Sequence, residues 1–139
     1  ASLGPRAFRQ ALIGTVQTIR EKHIDIPVVL ISPIYSPPRE KAKNAVGFTL
    51  EEMRVEVATA VEDLRTHGDQ KLHYVDGLQL FGADLIEMLP DQVHPNAEGY
   101  KVLGKKFTQH IANKFFVTYK LINQAYVSGP RFFLFQILV

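Results

Sequence analysis

Apolar residues recur at three- and four-residue spacings between Arg6 and Lys22, through Phe8, Leu12, Ile13, Val16 and Ile19, and Pro5 suits a first helical turn. The spacing predicts a helix over 5–22. The pattern then changes: IPVVLISPI (26–34) is a nearly unbroken β-branched run ended by Pro33 and the pair Pro37 and Pro38, as expected of a strand covered on both faces. After the polar stretch 36–47, Thr49 and Glu52 have the spacing of a capping box, predicting a helix over 49–67 stopped by Gly68. KLHYVDG (71–77) reads as a second, short strand, 78–89 as loop plus a short helical piece, and DQVHPN (91–96) as a loop. Asn96 and Glu98 open a third helix carrying Tyr100, Leu103, Phe107, Ile111 and Phe115.

The order α, β, α, β, loop, α predicts an α/β protein, a three-layer α/β/α sandwich around a parallel sheet of flavodoxin-like outline. Two strands cannot cover the apolar area of such a sheet, so further strands are expected upstream of residue 1. The segment 116–139 does not fit a further helix–strand unit, although RFFLFQILV can form a strand. The expected division is a domain portion over 1–115 and an atypical basic and apolar tail over 116–139.

Composition narrows the function classes. With 139 residues and 46% hydrophobic content, the chain is long enough for one domain with one core. A formal charge of +2 is too small to imply a nucleic-acid partner. All fourteen acidic residues fall within 1–100, whereas 101–139 contain six basic residues and no acid. A basic, aromatic tail of this kind reads first as an appended extension or a strand packing on an open surface, and only secondarily as contact to an anionic membrane or docking to a partner, while an uncovered sheet edge is compatible with self-association. Without cysteine there is no disulfide, thiolate nucleophile or Cys-based zinc site. No apolar run reaches the ~18–20 residues that span a bilayer, and ASLGPRAF lacks a signal-peptide pattern. The compartment is left open.

Asp91 and His94 stand three apart in a loop at the mouth of a helix, close enough for the carboxylate to accept the imidazole Nδ1 proton. Such a bond fixes the tautomer and turns Nε2 outward, where an imidazole of ordinary pKa about 6.5 can take a proton from a serine hydroxyl. On spacing alone the pair is a weak signal, and the plainer reading is a loop in which His94 helps to cap the helix and Asp91 bonds loop amides.

The wider context favours chemistry. LPDQVHPNAEGY resembles the C-terminal block of the SGNH (GDSL-type) esterase and lipase family, in which Asp-x-x-His-Pro-Asn precedes the last helix. PVVLISPIYSP is similar to the family's fourth sheet strand, REKAKNAVGFTLEEMR to the loop and helix that follow, and LHYVDGLQLFG to its fifth strand, so the resemblance covers about 1–115. It implies that Asp91 orients His94, and that His94 acts as general base and then general acid in ester hydrolysis through an acyl-enzyme. The family's Gly-Asp-Ser block with the nucleophile, its glycine block and its Gly-x-Asn block are not found in the 139 residues. ASLGPRAF resembles the sequence that follows Gly-x-Asn, so the resemblance implies a nucleophile outside this chain and an inactive isolated chain.

None of Ser2, Ser32, Ser36 and Ser128 has nucleophile-elbow surroundings. Ser32 is expected to satisfy a backbone group, Ser36 to sit in a turn, and Arg39 and Glu40 to form a solvated turn in a loop around Tyr35, Pro37 and Pro38 that can contact substrate. His23, His67, His73 and His110 are scattered, so neither a metal nor another cofactor is expected. The expected partner is a small acyl or carbohydrate ester. The alternative is a noncatalytic α/β module that recruits a partner through its sheet edge.

Overall fold

The computed structural model describes residues 3–117 and 133–136. Helix α1 (Pro5–Arg20) starts on Pro5 and buries Phe8, Leu12 and Val16, one side of the periodic stripe. Strand β1 (Val28–Ile31) is buried at all four positions. Helix α2 (Leu50–Thr66) begins with the expected capping box: Glu52 N donates to Thr49 Oγ1 at 3.1 Å, and Thr49 N donates to Glu52 Oε2 at 2.9 Å. Gly68 beyond its end takes φ 109°, which glycine adopts without steric cost. Strand β2 (Leu72–Val75) leads into the short helix α3 (Gly77–Leu80), a 3₁₀ segment (Ala83–Met88) and helix α4 (Ala97–Phe107), which continues as π-helical turns over Thr108–Val117. Strand β3 (Phe133–Gln136) lies within the stretch expected to be capable of forming a strand.

The elements are shorter than their hydrophobic runs. The strand expected over 26–34 pairs only through 28–31, because Ile26 and Pro27 form a buried lead-in and Ser32 begins the exit loop. The sheet order is β2-β1-β3 and both pairings are parallel, with Val28 opposite Leu72 and Phe133. β1 is thus the central strand, which explains its lack of polar alternation. Outside β3 and residues 116–117, the expected tail falls beyond the described residues, as do Ser2 and Ser128.

The described helices cover the sheet on both faces. Under α1 and α2, Phe8, Leu12, Val16, Met53, Val57 and Ala60 pack on Val28, Leu30 and Leu72, with Phe8 edge-on to Phe48 at 5.1 Å. On the opposite face Val29, Ile31, Val75 and Leu80 pack with Ile111, bordered by Leu103, Phe107 and Phe115. Because side chains alternate along a strand, Val28 and Leu30 serve one layer while Val29 and Ile31 serve the other. This is the expected three-layer α/β/α arrangement. It brings the carboxyl ends of β1 and β2 next to the loop before α4.

Candidate active site

Asp91, Gln92, Val93 and His94 form a tight turn between the 3₁₀ segment and α4. Asn96 closes it: its Oδ1 accepts from Gly99 N at 2.9 Å, so Asn96, not His94, caps α4. Gly99 is buried against Pro95, and a Cβ there would stand 2.9 Å from Pro95 Cβ and 3.1 Å from Met88 Cβ. A glycine in the first turn therefore lets α4 approach the residue that follows His94. Asn96 N also donates to Met88 O at 2.8 Å, tying the loop to the segment before it.

Within the turn, Asp91 Oδ1 accepts from Val93 N at 2.9 Å and His94 N at 2.6 Å, while Oδ2 lies 2.7 Å from His94 Nδ1. Asp91 thus bonds loop amides and the imidazole together, so the two readings of the loop describe the same carboxylate. These bonds, the His94 amide first, then its ring and the Val93 amide, hold the Asp91 carboxyl well below the usual carboxylate range. With Nδ1 donating to an ionised carboxylate, the ring's other nitrogen is the one left to accept a proton. The His94 side chain is 73% exposed, so the ring is accessible from solvent.

The carboxyl end of β1 carries the second part of the site. Ser32 is 1% exposed, and its Oγ accepts from Gly77 N at 3.0 Å and from the Tyr74 hydroxyl at 3.1 Å. Burial pushes the Tyr74 phenol above its ordinary value and keeps it a donor. Ser32 thus satisfies a backbone group, as its position in the buried run predicted. Ser36 is also buried, and its Oγ donates to Gln92 O at 2.9 Å. Neither hydroxyl is open to an ester.

The expectation of a solvated turn at Glu40 is corrected by the structure. Glu40 pairs with Arg54 of α2 through contacts of 2.7 and 2.8 Å, and both side chains are largely buried. Arg54 also donates to Pro33 O at 3.0 Å and Ile34 O at 3.2 Å, satisfying carbonyls that the end of β1 leaves without ladder partners. Sequence reasoning missed Arg54. The available signal was a charge inside the apolar stripe Leu50, Met53, Val57 and Val61. His73 stacks on Phe115 at 4.5 Å, and among the described residues no three His, Asp or Glu side chains are grouped to hold a metal ion.

No protein-family model matches the chain, and no curated protein does. Solved structures do. A salicylyl-acyltransferase from a tetracycline biosynthetic pathway matches with a TM-score of 0.70 and 34% identity, over 83% of this chain and 34% of its own. A structure described as a GDSL-like lipase from Bacteroides ovatus matches with a TM-score of 0.65 and 24% identity, over 79% of this chain and 32% of its own. The chain has the SGNH/GDSL α/β fold. It spans about a third of the length of each matched structure, over the C-terminal part of the SGNH/GDSL fold. In this fold the Asp91–His94 turn and the loop leaving β1 lie side by side, joined by the Ser36 to Gln92 bond.

Proposed function

We propose that this chain supplies the acid/base pair of a serine-type ester hydrolase whose nucleophile and oxyanion donors lie outside its 139 residues. The observation that carries the reading is the 2.7 Å contact between His94 Nδ1 and Asp91 Oδ2 on an accessible ring. Asp91 holds the tautomer and stabilises the imidazolium. His94 Nε2 takes the proton of a serine hydroxyl as that oxygen attacks the ester carbonyl, then returns it to the departing alkoxide. A water activated by the same nitrogen releases the acid from the acyl-enzyme. The substrate class is a small ester, acyl or carbohydrate.

The likeness to a salicylyl-acyltransferase favours a second reading of the same pair, in which an alcohol rather than water receives the acyl group. The first steps are identical in both readings, and only the acceptor activated by His94 differs.

The test is hydrolysis of p-nitrophenyl acetate by the 139-residue chain and by the chain extended upstream through a Gly-Asp-Ser block, each with a His94→Ala control. Turnover confined to the extended chain and abolished by His94→Ala is the expected result. No turnover in either chain would move the balance to a noncatalytic module, and ester products formed with an added alcohol identify acyl transfer.

A further inference from the structure

The Asp91–His94 turn contains an uncommon backbone conformation that is held from two sides. Gln92 takes φ 63°, the only positive φ among the described residues other than glycine. Such a conformation persists where surrounding contacts over-determine it. One contact comes from inside the loop, Gln92 N donating to Leu89 O at 2.9 Å. The other comes from the neighbouring loop: Ser36 Oγ donates to Gln92 O at 2.9 Å across 56 positions of sequence.

Ser36 is itself held. Its N donates to Glu40 Oε1 at 3.0 Å, and the Glu40 carboxylate is gripped by both terminal nitrogens of Arg54. Arg54 stands on α2, in the turn next to Met53 and Val57, which are fully buried against the sheet. A continuous chain of charge-assisted and neutral hydrogen bonds therefore runs from the core helix α2, through Arg54, Glu40 and Ser36, to the peptide between Asp91 and His94. Rotation of that peptide would turn the Val93 amide directly and displace the adjoining His94 amide, and both donate to Asp91 Oδ1. It would thereby move the carboxylate off His94 Nδ1.

We propose that Ser36 is a positioning residue for the Asp91–His94 pair, anchored through Glu40 and Arg54 and acting through the Gln92 carbonyl. This rests on the acid/base reading of the pair, and adds to it a residue from a different loop that sets the geometry without touching the reacting atoms. A serine suits the task because the site is buried and needs one short donor, which alanine lacks and cysteine supplies only weakly.

The experiment is nuclear magnetic resonance of the ¹⁵N-labelled 139-residue chain, reading which ring nitrogen of neutral His94 carries the proton, together with hydrogen exchange of the Val93 and His94 amides. In the wild type the proton is expected on Nδ1. Ser36→Ala is expected to shift population to the Nε2–H tautomer and to speed exchange of the two amides about tenfold or more, with amide signals in α1 and α2 unchanged. Ser36→Cys should fall between alanine and wild type. An Nδ1 proton and amide protection equal to wild type in a folded Ser36→Ala chain would overturn the proposal. If Ser36→Ala does not fold, Ser36→Gly, which also lacks the hydroxyl, is read in the same way, and no shift in it is equally fatal. A wild-type ring without the Nδ1 proton would sink the acid/base pair as well. The expected shift in a chain that hydrolyses no ester even when extended would leave the positioning standing and remove only the hydrolase.

Discussion

His94 Nδ1 and Asp91 Oδ2 lie 2.7 Å apart although both side chains are more than half exposed. Exposed pairs are ordinarily worth little, because water competes for both partners. Here the carboxylate is not free to leave, since its other oxygen accepts two backbone amides of the same turn. The folded turn therefore lowers the Asp91 pKa. With the folded value depressed, the stabilising contribution is present above the ordinary carboxylate pKa and is lost as pH falls through the lower, folded one. A ¹³C titration of the Asp91 carboxyl should show a midpoint below the ordinary value of about 3.9 for aspartate. His94→Ala should raise that midpoint only part-way, because the backbone bonds remain. A midpoint at the ordinary value in the wild type would contradict the geometry.

Asp91→Asn retains the size of the side chain but removes the charge that, in the proposed acid/base pair, stabilises an imidazolium. In a catalytically complete chain it should lower ester turnover by about 10²- to 10⁴-fold with little change in KM, the range over which positioned acid/base groups act. Steady-state kinetics at neutral pH measure this, and wild-type turnover in the variant would exclude the proposed role.

Arg54 and Glu40 form a nearly buried ion pair. Arg54→Met leaves the Glu40 carboxylate without its cation and removes the donors to Pro33 O and Ile34 O. A loss of about 3–5 kcal/mol in unfolding free energy is expected from chemical denaturation. Adding Glu40→Gln should recover part of it, because no buried charge is then uncompensated. An Arg54→Met chain as stable as wild type would show that the pair does not stabilise the loop.

Gly77 shows a different kind of constraint. A Cβ there would lie 2.2 Å from Ser32 O and 2.5 Å from Pro33 O, backbone atoms that cannot swing aside. Gly77→Ala should therefore part the carboxyl ends of β1 and β2 and lengthen the Gly77 N to Ser32 Oγ bond. The expected cost is about 1–3 kcal/mol or more, as for other overpacked sites. Thermal unfolding measures it, and an unchanged midpoint would mean that the two loops are not in close contact.

Thr49→Ala tests the local code by itself. It removes one half of the capping box and should destabilise the chain by about 1 kcal/mol in chemical denaturation. Thr49→Asp, which keeps an acceptor at the same place, should recover most of it. Equal stability of all three would show that the cap is not needed to start α2.

The division between what the sequence determined and what tertiary structure decided follows the range of the interactions. The helix starts at Pro5, Thr49 and Asn96 and the Asp91–His94 bond depend on contacts within a few residues, so spacing and residue type were enough to read them, while the buried central strand was legible from its unbroken apolar run. The strands came out shorter than their apolar runs because burial extends beyond ladder pairing, and only the partner strands decide where pairing stops. The pairing of β3 with β1 was not readable, since 133–136 carries no local mark of its neighbour. Arg54, Glu40 and Ser36 look like a helix charge and two turn residues when read alone. Their roles arise only when α2, the loop after β1 and the turn before α4 converge, because a buried polar group takes its meaning from partners 14 and 56 positions away in the chain.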